Sequence, residues 1–284
     1  MTTGQRLARL AAGAILVSAT VAVAFAALIF PWIPNWNAKP EEVARVYPGD
    51  EQVSAPQVLW THGITINAPP EAVWPWVAQL GEGRGAFYSY TFVENAFSLV
   101  GGGPSDAYRN ANTILPEFQN ATPGDTLIGG MLFVDKVEPG RYLLGAAKDD
   151  LPMGWTWLWE LVPAGEGQTR LLVRTRIKAE EGADNPIVGA VITAGGFVME
   201  RRMMTGLRDR AEGRPEPGWY MPAEVVLWFV ALGAGLAAAV VYLRKRRWLL
   251  PLLLGEAAVV ALLVFTYLQP ALWLRALVDV ALVA

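Results

Sequence analysis

The side chains in this chain best suited to chemistry are one histidine, one arginine in a glycine-rich turn, and two glutamates further on. His62 is the only histidine, so acid–base work by an imidazole near neutral pH would have to pass through it. Its alternation with Ile64 and Ile66 places it on the inward or rim-facing side of a strand. Arg84 lies in the turn Gly81–Gly85, where a guanidinium can grip a carboxylate or phosphate with two parallel hydrogen bonds. Glu94 and Glu117 are the carboxylates to weigh for proton transfer, although nothing in their spacing makes them face each other. Each residue also has a plainer reading. His62 can be a hydrogen-bonded core or rim residue, Arg84 can pair with Glu82 or Glu94, and both glutamates can be solvated. The glycine-rich turn lacks the Gly-Lys-Ser/Thr ending of a phosphate loop, so it reads as a gate or an ordinary turn.

Several elements must position these groups. An alternating strand over 57–67, with Trp60, His62, Ile64 and Ile66 on one face, runs into Ala68-Pro69-Pro70-Glu71. Pro70 suits a first helical position, since its φ is pre-set and its missing N–H would be unpaired there anyway. Val73, Trp74, Val77 and Leu80 then recur at helical spacing over 70–80, with Pro75 bending the first turns. A short helical or irregular region over 90–119 is broken at Gly101-Gly102-Gly103-Pro104. Strands are expected near 125–137, 141–147, 154–162 and 168–178. The last two read as a hairpin: Trp155, Trp157 and Trp159 share a face beside Leu171, Val173 and Thr175, and Glu160 falls beside Arg170. Arg170, Arg174, Arg176 and Lys178 occupy the opposite face, which predicts a sheet with one wet side and one aromatic side. Asp184-Asn185-Pro186 starts a long helix. Val188, Val191, Ile192, Val198, Met199, Met203 and Leu207 are its expected apolar side. Gly195-Gly196 marks a kink or a close approach, and Arg208 and Arg210 sit where they complement the helix dipole.

The 284 residues are 53% apolar and 17% charged, and the apolar excess is local. Leu10–Phe30, Val225–Leu243 and Trp248–Leu268 are each long enough to cross a bilayer core of roughly 30 Å. The last carries one charge, Glu256, which is costly in a membrane and so a functional candidate; packing against Ser18 or Thr20 is the plainer account. The resulting organisation is an N-terminal anchor over 1–30, read as retained rather than as a cleaved signal, and a proline-rich connector over 31–55. A ligand-binding domain covers 56–213 and a linker 214–221. Spans follow over 222–243 and 248–269, then an interfacial or frayed segment over 270–284. Arg6, Arg9 and Arg244-Lys245-Arg246-Arg247 would lie in the cytoplasm by the positive-inside rule, leaving the domain of this multi-pass cell-membrane protein outside. The chain has no cysteine, which excludes disulfides and thiolate metal sites. With a single histidine and no basic stripe, neither a metal centre nor a nucleic-acid surface is expected.

The element order resembles the START-like superfamily, also called SRPBCC or polyketide cyclase/lipid-transport proteins, over about 55–213. The residues carrying this resemblance are Ala68–Trp74, Gly83–Tyr90, Asn110–Asn112, Leu115–Gln119, Pro123–Asp125, Val137–Arg141 and Phe197–Arg201. It implies an α+β helix-grip fold, an antiparallel sheet around a long C-terminal helix with a ligand cavity between them, here flanked by transmembrane helices. Members include carriers, sensors and enzymes, so the fold by itself assigns no reaction.

Trp74, Phe87, Tyr88, Tyr90, Trp155, Trp157, Trp159, Val198, Met199 and Met203 are the candidate cavity residues. The plainer reading of each aromatic is core. Three functions follow as expectations. The first is a membrane-tethered binder that stores, presents or moves a hydrophobic, lipid-like ligand without a cofactor. The second is a cyclase-, dehydratase- or hydrolase-type enzyme using His62, Arg84 or Glu117. The third is a regulatory or assembly module whose spans bind a membrane partner. The reading leans away from an enzyme.

Overall fold

A computed structural model describes residues 3–100, 103–148, 151–180, 185–245 and 248–284. Gly101 and Gly102 of the expected break, Asp184 of the expected cap, and Arg246 and Arg247 of the basic cluster lie outside the described residues. The chain forms two compact units, one of residues 32–216 and one of residues 1–31 with 217–284.

Unit 32–216 is α+β. Six antiparallel strands lie in the order β1-β6-β5-β4-β3-β2: β1 Val58–Ile66, β2 Thr126–Ile128, β3 Leu132–Glu138, β4 Tyr142–Ala147, β5 Met153–Pro163 and β6 Thr169–Ala179. A long helix, here α5 (Pro186–Ala211), packs on the inner face. This is the helix-grip arrangement that the START-like resemblance implies. The short helices α2 (Pro40–Ala44), α3 (Pro70–Ala78) and α4 (Thr91–Val100) complete the unit. Pro70 opens α3, and Pro75 is tolerated inside it. Asn185 caps α5, its side chain accepting from the backbone N–H groups of Ile187 and Val188, and Pro186 follows. Gly196 is a close approach: a Cβ there would fall 2.8 Å from the Trp60 ring. The helix runs on through it without a break.

Three expectations are corrected. The hairpin register is offset by two residues. Trp155, Trp157 and Trp159 oppose Ile177, Thr175 and Val173, and Glu160 opposes Leu172, because pairing starts at Pro163–Thr169 across a shorter loop. The outer face of the sheet is not wet. The connector folds over it: Tyr47 packs on Leu144, Leu158 and Leu172, Glu42 pairs with Arg170, Asp50 pairs with Arg174 and Arg176, and Arg45 pairs with Glu160. Arg170 and Arg174 are thereby buried. Finally, Val188 and Val191 do not line the apolar side of α5; they are exposed, together with Ile187.

The other unit holds the helices long and apolar enough to cross a membrane. They lie within Thr3–Asn35, Tyr220–Arg244 and Leu249–Leu268. The first is α1 (Thr3–Ala24), continued by a π-helical turn over Phe25–Ile29. The next two are α6 (Tyr220–Arg244) and α7 (Leu249–Leu263), and α8 (Leu272–Val283) follows after Gln269 takes a left-handed conformation. A buried ion pair, Glu224–Arg275 at 2.8 Å, ties α6 to α8. Glu256 makes no hydrogen bond to Ser18 or Thr20; both its carboxylate oxygens are buried without a hydrogen-bond partner.

Candidate functional site

The grip between sheet and α5 is organised around Glu200, the one acidic residue between Pro186 and Arg208. Helical spacing from Phe197 and Met203 turns it onto the sheet-facing side of α5, where it is 3% exposed. Its Oε1 accepts from Trp60 Nε1 at 3.0 Å and lies 2.5 Å from His62 Nδ1. Its Oε2 accepts from Trp157 Nε1 at 2.9 Å and from the Thr175 hydroxyl at 3.3 Å. The period-2 alternation of β1, β5 and β6 brings these partners to one face. His62 Nε2 faces the Ile33 carbonyl at 2.8 Å. Both ring nitrogens therefore face acceptors, and Glu200 already receives three other donors. The Trp60 ring stacks on His62 at 5.8 Å, and Phe197 meets it edge-on at 5.5 Å. His62, Glu200, Trp60, Trp157 and Thr175 are all buried and every partner is committed, so the network is a closed polar core.

The three candidates for chemistry do not converge. His62 is held by Glu200 and Ile33. Arg84 pairs with neither Glu82 nor Glu94; it bonds Asp125 at 3.0 Å and the carbonyls of Ala78 and Phe118, and lies over the Phe118 ring. Glu117 is exposed, as its plainer reading holds. Glu94, by contrast, is buried rather than solvated. It is 7% exposed, its carboxylate oxygens have no hydrogen-bond partner, and burial pushes its carboxyl up to about 8.

Of the expected cavity residues, Phe87, Trp157 and Trp159 come together, with ring centroids 5.4 Å apart for Phe87–Trp157 and 5.1 Å for Trp157–Trp159. Tyr88 turns elsewhere, donating to the Trp76 carbonyl at 2.9 Å, and burial raises its hydroxyl pKa. Trp74, Tyr90, Val198 and Met199 are half-buried, and Met203 is buried. Trp155 packs with Val58, Trp60 and Ile177. It also lines a cleft of about 340 Å³ at the ends of β4, β5 and β6, beside Val53, Lys148 and Lys178.

Glu200, Trp76 and Tyr108 are not among the residues expected at the site, and Glu82 is expected only as a partner for Arg84. A lone acid on an otherwise apolar helical face was the available signal for Glu200. Glu82, Trp76 and Tyr108 carried none, because they acquire their roles from distant partners.

No family model matches the chain, and no curated protein matches it. Several solved structures are similar to it. A solution structure from Thermobifida fusca is 14% identical, covers 56% of this chain and 97% of its own, and gives a TM-score of 0.35. Norcoclaurine synthase from Thalictrum flavum, in complex with dopamine and hydroxybenzaldehyde, is 12% identical over 61% of this chain and 96% of its own, with a TM-score of 0.29. A START superfamily protein from Mycobacterium smegmatis is 11% identical over 55% of this chain and 97% of its own, with a TM-score of 0.24. No residue role is carried over from any of them.

Proposed function

We propose that the protein is a membrane-tethered binder of a hydrophobic, lipid-like molecule, held on the α4 side of the grip and presented or moved at the membrane face. One observation carries this reading. Helix α4 exposes Phe92, Phe97, Leu99 and Val100 to solvent while turning Glu94, unpartnered, into the interior. Such an element has an apolar outer face for a bilayer or an acyl chain, and an inner polar group lacking its partner. Burying each methylene of a ligand is worth roughly 0.8 kcal/mol, so a few carbons suffice for useful affinity.

The spans support the tether. Arg9 of α1 donates to the Lys245 carbonyl at 2.7 Å, and Tyr242 of α6 donates back to the Arg9 carbonyl. The basic ends of α1 and α6 therefore share one side of their unit. That is the arrangement the positive-inside rule favours when the domain lies outside the cytoplasm.

Native mass spectrometry with lipid extraction on the soluble unit 32–216 tests the reading. A stoichiometric co-purified apolar molecule supports it. A folded unit that stays empty across a broad lipid panel sinks it. That result would favour a regulatory or assembly module, for which the fully paired His62–Glu200 core is the supporting observation.

A further inference from the structure

The buried polar groups of unit 32–216 left without partners include the two oxygens of Glu94. One helical turn on from Glu94 in α4, Ser98 touches a second carboxylate, Glu82. Its Oε2 lies 3.5 Å from the Tyr108 hydroxyl and its Oε1 3.5 Å from the Ser98 hydroxyl. The charges of both glutamates bear on Tyr108, whose hydroxyl is pushed up by burial first, then by Glu82 and Glu94. Among the described residues neither glutamate forms an ion pair; the nearby Arg84 is committed to Asp125. Gly129 leaves room for Glu82, since a Cβ there would fall 1.9 Å from its Oε2. An aromatic wall adjoins the pair: Phe87 stacks on Tyr108 at 5.6 Å and meets Trp157 at 5.4 Å.

We propose that Glu94 and Glu82 are the anionic end of a binding site for an ammonium group carried on an apolar body, with Phe87, Tyr108 and Trp157 as its aromatic wall. This rests on the reading of the domain as a binder of apolar ligands and names the chemical class. A buried carboxyl without a partner is costly, and a neighbouring carboxylate makes a neutral acceptor a poor complement. A cation offsets both penalties and gains from the ring faces. The described residues hold no group of three or more metal-ligating side chains, so an organic cation suits the pair better than a metal ion. Because Glu94 holds its proton up to about pH 8, capture of an ammonium at pH 7 also releases a proton from it.

The test uses the full chain in nanodiscs of phosphatidylglycerol, which has no amine. Phenethylamine, 2-phenylethanol and phenylacetate are titrated by calorimetry at pH 7 in two buffers of different ionisation heat. The amine is expected to bind at least tenfold tighter than the alcohol, with phenylacetate weakest and with proton release on amine binding. Glu94→Gln should erase the amine preference and the proton release. Glu82→Gln, at a less buried position, should weaken the amine several-fold and keeps the test valid if the first variant misfolds. Equal affinity for amine and alcohol, or a preference that survives both substitutions, overturns the ammonium site while leaving an apolar binder standing. Failure of all three probes counts against the binder as well. Repeating the titration with phosphatidylethanolamine in the nanodisc separates the sources: competition supports a lipid headgroup, and unchanged affinity supports a free amine.

Discussion

Glu200 Oε1 and His62 Nδ1 lie 2.5 Å apart across 138 residues of chain, with the far ring nitrogen on the Ile33 carbonyl. Truncating one partner of a buried hydrogen-bonded pair typically costs about 1–3 kcal/mol, because the other's polar groups are left unsatisfied. Glu200→Leu is expected to lose this much, and His62→Leu a comparable amount. The double variant should lose clearly less than the sum. Denaturant unfolding of the three variants gives the coupling directly, and additive losses would show that the contact is not energetically real.

Two glycines of α5 should respond in opposite directions. At Gly206 a Cβ would meet the Tyr88 carbonyl at 2.3 Å, and Tyr88 is itself held at φ 61. Gly206→Ala should therefore destabilise by about 1–3 kcal/mol through forced backbone movement. At Gly195 a Cβ meets nothing within 4 Å, so Gly195→Ala should stabilise by about 0.5–1 kcal/mol through helix propensity. Thermal unfolding of the pair checks the sign of each.

Removing the connector should expose the outer face of the sheet. A fragment starting at 57 loses Tyr47 from its contact with Leu144, Leu158 and Leu172. It also leaves Arg170 and Arg174 without Glu42 and Asp50. It is expected to aggregate, whereas a fragment of 32–216 stays monomeric. Size-exclusion chromatography distinguishes them, and a monodisperse shorter fragment would contradict the covering role.

Stability should fall on the alkaline side because of Glu94. Its folded-state pKa, about 8, lies above the ordinary 4.5, so the folded state binds the extra proton. The contribution is complete below about pH 4.5 and is lost as pH rises to about 8, by up to ~4 kcal/mol. Glu94→Gln, which cannot ionise, should flatten the profile between pH 5 and 9 and exceed the wild-type melting temperature at the alkaline end. Parallel profiles would exclude Glu94 as the source.

The sequence by itself determined whatever repeats over short distances. Long apolar runs marked the three apolar helices, alternation placed Trp60 and His62 on one face of β1 and the tryptophans on one face of β5, and Asn185-Pro186 marked the start of α5. These signals are local because strand and helix periodicity act within a few residues. Tertiary structure alone decided what each face meets. It gave His62 a carboxylate from α5, turned Arg84 to Asp125 and laid an acidic connector over the arginines of β6. It also buried Glu94 with no hydrogen-bond partner for its carboxylate oxygens. A charged side chain reads the same in sequence whether solvent, a counter-ion or nothing faces it, and only the folded chain brings the partner from a hundred residues away.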